Sequence, residues 1–257
     1  MSSDDAHARN RVQYGAVADR YATSASHAGG DDLIWFTARA ASVAPARALD
    51  VACGGGFSTR ALRAAGHRVV ATDLTPESLH AARKALGDPT VSWVAGAAER
   101  LPLRSASVDV VGCRIAPHHF ADIARFVDEV ARVLTAQGMF LLVDTTVPED
   151  EALAKWVNDV ERLRDPSHGQ AWPPSRWQVV LGGAGLRIVE TRTFRKRHSM
   201  EAWLGRAACT GAAAAEVRAR FRAAPEAARA AYGIESDDAG EVIAYTDTKL
   251  CLRATCG

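Results

Sequence analysis

The sequence has no excess of charge of either sign, no long hydrophobic run and no metal-type spacing of cysteines. Its 257 residues include 31 lysines and arginines and 30 aspartates and glutamates, so the net charge is +1. So little charge presents no basic field to nucleic acid, and we expect no nucleic-acid partner. No segment approaches the roughly 18 apolar residues of a membrane span, so we expect no membrane association. The polar start MSSDDAHARN lacks the apolar stretch of a signal peptide, which favours a cytoplasmic protein.

The five cysteines are odd in number, and none lies in a C-x-x-C pair. Free thiols in a reducing compartment are therefore expected in preference to disulfides or zinc ligands. Two histidines and two carboxylates are candidate ligands for a divalent metal. They are scattered and lack any short ligand spacing, so we expect no metal site.

Short runs rich in Val, Leu or Ala alternate with helical patterns in the first 150 residues. The runs lie at 46–52, 67–73, 91–95, 108–113 and 139–144, and the helical patterns at 57–65, 76–86 and 121–134. Runs of this kind are typical of strands buried on both faces. Their alternation with helices predicts a parallel sheet with right-handed crossovers.

The second half of the chain follows a looser pattern. Residues 186–194 are predicted to form a strand, residues 198–232 are Ala-rich and helical, and residues 241–255 alternate as in an antiparallel strand. No linker is long enough to separate two domains. One domain with a helical insertion is predicted.

The stretch LDVACGGGFS, residues 49–58, places glycines between a strand and a helix. A phosphate-binding P-loop would need Lys and then Ser or Thr after the glycines, and a dinucleotide fingerprint would need glycine at Thr59. Asp73, 19 residues beyond Gly54, could bind ribose hydroxyls in either a dinucleotide or an adenosine cofactor. Asp50 decides between them, because an acid before the glycines would repel a pyrophosphate but suits a cationic amino group. S-adenosylmethionine carries such a group and no phosphate.

Four stretches then follow one another in the order of a known family: LDVACGGG, VVATDLTPESL, GAAERLPLRSASVDVV and CRIAPHHF. Over residues 10–195 the chain resembles class I S-adenosylmethionine-dependent methyltransferases. It is most similar to the type 11 family, which includes ubiquinone/menaquinone C-methyltransferases. It departs from the family at Ala52, where glycine is commonest, and at Ala97, where Asp or Thr is frequent.

The resemblance implies an α/β, Rossmann-like, doubly wound fold. Its mostly parallel seven-stranded sheet would carry an antiparallel last strand. The single domain 1–257 would comprise an N-terminal helical cover (1–44), a cofactor-binding core (46–146) and a helical substrate lid (195–240).

The resemblance also implies a set of cofactor contacts. Asp50 would lie near the methionine amino group, Asp73 would bind both ribose hydroxyls, and Leu74 would lie against adenine. The full set is Tyr21, Ser24, Asp50, Ala52, Gly54, Gly56, Asp73, Leu74, Ala98, Glu99 and Cys113. The alternative is that the glycines only turn the chain and that Asp73 only caps the helix starting at Thr75.

His118 and His119 follow the fourth strand, at the carboxyl edge of the sheet, where ligands of open α/β sheets bind. A histidine near neutral pH can take a proton from an attacking hydroxyl or thiol. One of the pair is expected to pack or to cap the next helix. We take both as catalytic candidates and favour His119.

Three further residues, His27, Arg164 and His168, are predicted to contact the acceptor. The predicted function is methyl transfer from S-adenosylmethionine to a small molecule, in secondary metabolism. Two alternatives stay open: a cyclase or similar catalyst that keeps the cofactor as a structural element, and a cofactor-binding regulatory module. The methylated atom and a homodimeric state also stay open.

Overall fold

Eight strands form one mixed sheet in the computed structural model, which describes residues 3–257. The strands are β1 (Arg47–Val51), β2 (Arg68–Asp73), β3 (Ser92–Ala95), β4 (Val108–Arg114), β5 (Leu134–Thr146), β6 (Leu186–Ser199), β7 (Glu235–Ser236) and β8 (Val242–Cys256). Their order is β3-β2-β1-β4-β5-β8-β6, and β7 pairs with β8 beside this path. β8 runs antiparallel to β5, β6 and β7, while β1 to β5 pair in parallel.

The predicted fold class is confirmed, including the seven strands of the main path and the antiparallel last strand. The two-residue strand β7 was not predicted, because two residues are too few to show an alternating pattern.

Helices cover both faces of this sheet. They are α1 (Ser3–Ala22), α2 (Ala25–Ala28), α3 (Asp31–Ala40), α4 (Phe57–Ala64), α5 (Pro76–Leu86), α6 (Ile123–Val133), α7 (Glu151–Arg164), α8 (Pro174–Gly183), α9 (Met200–Arg206), α10 (Gly211–Arg222) and α11 (Glu226–Tyr232). The first three fall in the segment that the sequence assigns to a helical cover, and we call them together the N-terminal cover.

Two apolar layers sandwich the sheet because successive strand residues point to opposite faces. Val110 of β4 belongs to the layer under α3 and α4, and its neighbour Val111 to the layer under α6 and α8. Phe36 of α3 is fully buried, and a Cβ on Gly112 would lie 2.6 Å from its ring. Glycine at this position lets the cover helix pack directly on β4.

The predicted lid boundary at residue 195 is wrong, because β6 continues to Ser199 and α9 begins at Met200. Residues 195–199, RKRHS, pair with Ala244–Thr248 of β8 in regular register. Because most of these residues are charged, the segment has no hydrophobic alternation that would predict a strand. Alternate residues of this segment instead face a polar cavity described below.

The lid helices α9 to α11 have an apolar core of their own. Trp203, Phe221 and Tyr245 pack there with ring centroids 4.9 to 5.7 Å apart, and α7 closes the other side. Such packing fixes α7 and α9 relative to β8.

Among residues 3–257, none of the helices is long and apolar enough to cross a membrane. The five cysteines are free thiols.

A buried ion pair ties the N-terminal cover to the sheet. Arg114, the last residue of β4, donates two hydrogen bonds to Oδ2 of Asp32 in α3, at 2.6 and 2.9 Å. A third bond reaches the carbonyl of His27 at 3.1 Å. The two paired side chains are 3% and 2% exposed.

Removing one partner of this pair would leave a buried, uncompensated charge. We expect Asp32→Ala to lower the free energy of unfolding by about 3–5 kcal/mol, measured by urea unfolding. Glu235→Ala is the matched control, because Glu235 pairs with Arg197 where the two side chains are 43% and 56% exposed. It should cost about 1 kcal/mol or less. Equal losses in the two variants would contradict the structural role given to Arg114 and Asp32.

Candidate active site

The carboxyl ends of β1, β2 and β4 surround a cavity, here called the first cavity. It contains about 950 Å³ of empty space, its open mouth included. Its wall includes loop residues 52–55, 73–75, 96–99 and 114–116, with Asn10, Tyr14 and Tyr21 of α1. Parallel strands end together at this edge, so their loops converge on one space.

The glycine loop bends through left-handed conformations at Ala52 (φ 54°), Gly54 (φ 49°) and Gly56 (φ 81°). Ala52 adopts this conformation without being glycine, which costs about 1–2 kcal/mol. A Cβ on Gly54 would meet no atom within 4 Å, so its backbone is open to the cavity. A Cβ on Gly55 would lie 2.7 Å from the carbonyl oxygen of Tyr21. The end of α1 therefore rests directly on the loop.

Asp73 joins the ends of β1 and β2. Its Oδ2 accepts the N–H of Gly54 at 3.0 Å, and its Oδ1 accepts the N–H and hydroxyl of Thr75 at 2.9 and 2.7 Å. The carboxylate lines the first cavity, and burial raises its pKa. Leu74 lies beside it in the same wall. Asp73 thus orders the turn before α5 and also faces the cavity, and its contact with ribose hydroxyls stays a prediction.

Ala98 and Glu99 also line the first cavity, and their contact with the cofactor stays a prediction. Oε1 of Glu99 accepts the N–H of Ala121 at 2.8 Å, and its Oε2 lies 3.1 Å from Nε2 of His7. Glu99 therefore joins the start of α1 to the loop before α6.

Several predicted contact residues lie behind the cavity walls. Asp50 is fully buried, where its Oδ2 accepts hydrogen bonds from Ser58 (2.8 Å) and Thr59 (2.5 Å). Oδ1 of Asp50 has no partner among residues 3–257, and burial raises the pKa of this carboxyl to about 7. The structure does not bring Asp50 to the wall of a cavity, so its contact with an amino group stays a prediction.

Gly56 and Cys113 are also absent from the walls. A Cβ on Gly56 would lie 3.2 Å from Cβ of Ala82, so this glycine allows α4 to pack on α5. The thiol of Cys113 is fully buried in the layer under α6, and burial raises its pKa. Motif position alone suggested both contacts, and packing is the role that the structure shows.

The N-terminal cover supplies residues to two cavities at once. Tyr14, Tyr21 and His27 line the first cavity and also a second cavity beside it. Ser24 lies behind His27, with its hydroxyl 2.9 Å from Nδ1 of that histidine. Sequence analysis did not identify Asn10 or Tyr14, because one polar residue on a helix carries no motif.

The second cavity encloses about 510 Å³ of empty space and has a strongly charged lining. Four cationic side chains face it: Arg164, Lys196, Arg206 and Lys249. Two carboxylates, Glu161 and Asp247, share the lining, which leaves an excess of two positive charges. Thr145, His118, His119, His198 and Trp203 also contribute.

His118 is oriented by a carboxylate and faces the second cavity. Its Nδ1 lies 2.5 Å from Oδ1 of Asp144, and its backbone N–H donates to Oδ2 of the same residue at 3.0 Å. Asp144 is 1% exposed at the end of β5. Donation from Nδ1 to the carboxylate leaves Nε2 as the proton-accepting atom of His118.

Both ring nitrogens of His119 are already engaged. Nε2 lies 2.6 Å from the hydroxyl of Tyr14, and Nδ1 lies 3.2 Å from the hydroxyl of Ser167. Burial, together with the charge of His118, lowers the pKa of His119. A histidine whose two ring nitrogens are already bonded is poorly placed to take a proton from an acceptor. The geometry therefore favours His118 over His119, contrary to our preference from the sequence.

Of the two remaining residues predicted to contact the acceptor, the structure places one in a cavity wall and the other outside both cavities. Arg164 ends α7 and lines the second cavity. His168 is buried away from both cavities, where its Nε2 lies 2.8 Å from Oδ1 of Asn158. Its role is to hold the loop after α7. Among residues 3–257, no group of three or more His, Cys, Asp or Glu side chains is arranged to bind a metal.

Comparison with known proteins identifies the family. Residues 49–142 match the methyltransferase domain family. The chain is 31% identical over 248 residues to the uncharacterized methyltransferase YcgJ of Bacillus subtilis, covering 95% of this chain and 96% of that protein. It is 34% identical over 123 residues to the demethylmenaquinone methyltransferase of Clavibacter sepedonicus, covering 46% of this chain and 50% of that protein. A solved structure from Bacillus halodurans, described as a methyltransferase, is 35% identical with a TM-score of 0.83, covering 88% of this chain and 99% of that one. The chain belongs to the S-adenosylmethionine-dependent methyltransferases.

The first cavity of this methyltransferase fits the cofactor. Gly54 leaves open space where a side chain would stand, and the carboxylate of Asp73 faces that space. Asn10 lines the wall with its Oδ1 unpartnered among residues 3–257, while its amide donates to the carbonyl of His119 at 2.8 Å. Carboxylate and amide acceptors of this kind suit the hydroxyl and amino donors of an adenosine group.

Loss of the Asp73 carboxylate should weaken cofactor binding. We expect Asp73→Ala to lower the affinity for the demethylated cofactor by about 1.5–3 kcal/mol in calorimetry, because the ribose hydroxyls lose charge-assisted partners. Asp88→Ala is the matched control. Oδ1 of Asp88 accepts the N–H (2.8 Å) and hydroxyl (2.5 Å) of Thr90 in the same way, but Asp88 lines neither cavity. Unchanged affinity in a folded Asp73 variant would reduce Asp73 to a turn residue.

Proposed function

We propose that this methyltransferase transfers a methyl group to a small molecule held in the second cavity, and that His118 takes the proton released by the acceptor. The observation that carries the proposal is the adjacency of the two cavities. The first has the family's cofactor loop, and the second contains the His118–Asp144 pair. Tyr14, Tyr21, His27, Ile115 and His119 line both, so a ligand in one cavity lies next to a ligand in the other.

S-adenosylmethionine, when bound, supplies a methyl group on a positively charged sulfur. The chain contributes alignment, which is worth up to about 7–11 kcal/mol in ideal cases, and it excludes water. Tyr14 and Tyr21 close the space from the α1 side, and their ring centroids are 5.3 Å apart. Burial raises the pKa of both hydroxyls, so both stay protonated at neutral pH.

His118 holds the proton in this scheme. As the acceptor's nucleophilic atom forms its bond to the methyl carbon, the bond between that carbon and sulfur would break with its electron pair going to sulfur, and the acceptor's proton would move to Nε2 of His118. Asp144 keeps the ring in the tautomer that leaves Nε2 free, and it stabilises the charged imidazolium that forms. The proton can then leave through the polar second cavity.

The deciding experiment is incubation with S-adenosylmethionine and candidate acceptors, followed by mass spectrometry. Methyl transfer predicts a product heavier by one methylene and an equal amount of demethylated cofactor. A converted acceptor of unchanged mass, with the cofactor intact, would instead support a non-methylating catalyst. Small acceptors, a role in secondary metabolism and a cytoplasmic location remain predictions.

Substitution of the two histidines should separate their roles. We expect His118→Ala to lower kcat roughly 100-fold or more with little change in cofactor affinity, because general bases contribute about 10²–10⁴. Asp144→Asn should lower kcat in the same direction, since an amide no longer selects the tautomer. His119→Gln is the control and should mainly lower the melting temperature. A larger kcat loss from His119→Gln than from His118→Ala would contradict the proposal.

A further inference from the structure

The second cavity contains more positive charge than its own carboxylates neutralise. Two of its cations have carboxylates or carbonyls as partners. Nζ of Lys249 donates to Oδ2 of Asp247 at 2.6 Å and to the hydroxyl of Thr145 at 2.7 Å. Nζ of Lys196 donates to the carbonyl of Ser26 and lies 3.7 Å from Oδ1 of Asp32. The other two cations, Arg164 and Arg206, are less well matched.

Arg164 is nine-tenths buried and incompletely bonded. Its side chain is 10% exposed, and its Nε has no hydrogen-bond partner among residues 3–257. The nearest carboxylate oxygens, on Glu161 and Asp165, are 3.5 and 3.6 Å away, too far for good charge-assisted hydrogen bonds. The guanidinium carbon lies 4.7 Å from the ring centroid of Trp203, a cation–π contact that places the group beside one wall.

Arg206 stands three residues after Trp203 on α9 and faces the same cavity. Its Nη2 donates to Nδ1 of His198 at 3.1 Å, and no carboxylate of residues 3–257 lies within 4 Å of it. Burial, together with the charge of Arg164, lowers the pKa of Arg206. The two guanidinium groups repel each other in a partly dry space, where Glu161 and Asp165 lie too far from Arg164 for good hydrogen bonds and an uncharged ligand would add no counter-charge.

The carboxylate of the cofactor is the competing counter-charge for these arginines. The second cavity, however, has no residue of the glycine loop in its lining, and neither arginine lines the first cavity. Arg114 is the arginine of the first cavity, and Asp32 neutralises it. The positive charge that lacks a close carboxylate partner therefore lies in the second cavity, which we take as the acceptor site.

We infer that the acceptor is a small organic acid or phosphate ester whose anionic group is bound between the guanidinium groups of Arg164 and Arg206. This inference rests on the proposed function, in that it takes the second cavity as the acceptor site. The planar guanidinium matches carboxylate and phosphate oxygens in pairs, which gives orientation as well as affinity. Anchored at this end, the acceptor extends toward His118 and the wall shared with the first cavity.

The test is calorimetric binding to the full chain saturated with the demethylated cofactor. The probes are benzoate, its neutral analogue benzamide, and inorganic phosphate. We expect benzoate or phosphate to bind, and benzamide to bind roughly tenfold more weakly or worse. The preferred anion distinguishes a carboxylate acceptor from a phosphate ester.

Three variants locate the anion site. Arg206→Gln and Arg164→Gln should each weaken anion binding roughly tenfold or more while the cofactor affinity stays unchanged. If circular dichroism shows that one of these two variants does not fold, the anion affinity of the other variant decides. Arg197→Gln is the matched control, because Arg197 is on the opposite face of β6, paired with Glu235 and outside the cavity. Its anion binding should equal that of the unaltered protein.

Several results would overturn the inference. They are the absence of anion binding, equal binding of benzamide and benzoate, and anion binding that both arginine variants retain. A loss of cofactor affinity in the arginine variants would assign the arginines to the cofactor's own carboxylate. The proposed function fails separately, if no acceptor is methylated. Methylation of a neutral acceptor with unchanged kcat/KM in Arg206→Gln would overturn the anion site and leave methyl transfer standing.

Discussion

The buried ion pair between Arg114 and Asp32 is the interaction on which both cavities depend. Arg114 ends the central strand β4, and Asp32 and the carbonyl of His27 belong to the N-terminal cover. Lys196 extends the same network to β6 through the carbonyl of Ser26. These bonds hold α2 and α3 over the carboxyl edge, while α1 has its own bonds to Glu99 and to the carbonyl of His119. Tyr14, Tyr21 and His27, which line both cavities, all belong to this cover.

The residue pattern within each segment predicted the central strands and helices well, because the residues that decide these elements lie inside the segment itself. The helix predicted at Pro76–Leu86 has those bounds in the structure, where proline opens it and Gly87 ends it in the left-handed region. Asp73 and Gly54 could be placed at the cavity because the carboxyl ends of parallel strands meet at one edge of the sheet, where ligands of such folds bind. Buried strands of Val, Leu and Ala left little ambiguity about the sheet.

The rest depends on contacts between distant segments. The polar end of β6 is a strand only because β8 pairs with it and a charged cavity faces it. The choice between His118 and His119 depends on the 3₁₀ turn Pro117–His119, which points one ring at Asp144 and the other at Tyr14. Adjacent residues in a sequence cannot reveal that division. His168 likewise has a polar partner, Asn158, that no motif indicates.

The wall shared by the two cavities has a thermodynamic consequence. A ligand that shifts Tyr14 or Tyr21 changes the shape of both spaces, so the two binding free energies cannot be independent. Linkage requires the coupling to be reciprocal: whatever factor the acceptor applies to cofactor affinity, the cofactor applies to the acceptor. Because α1 also rests on Gly55, the same displacement alters the glycine loop. Binding in either cavity is therefore coupled to the position of one helix.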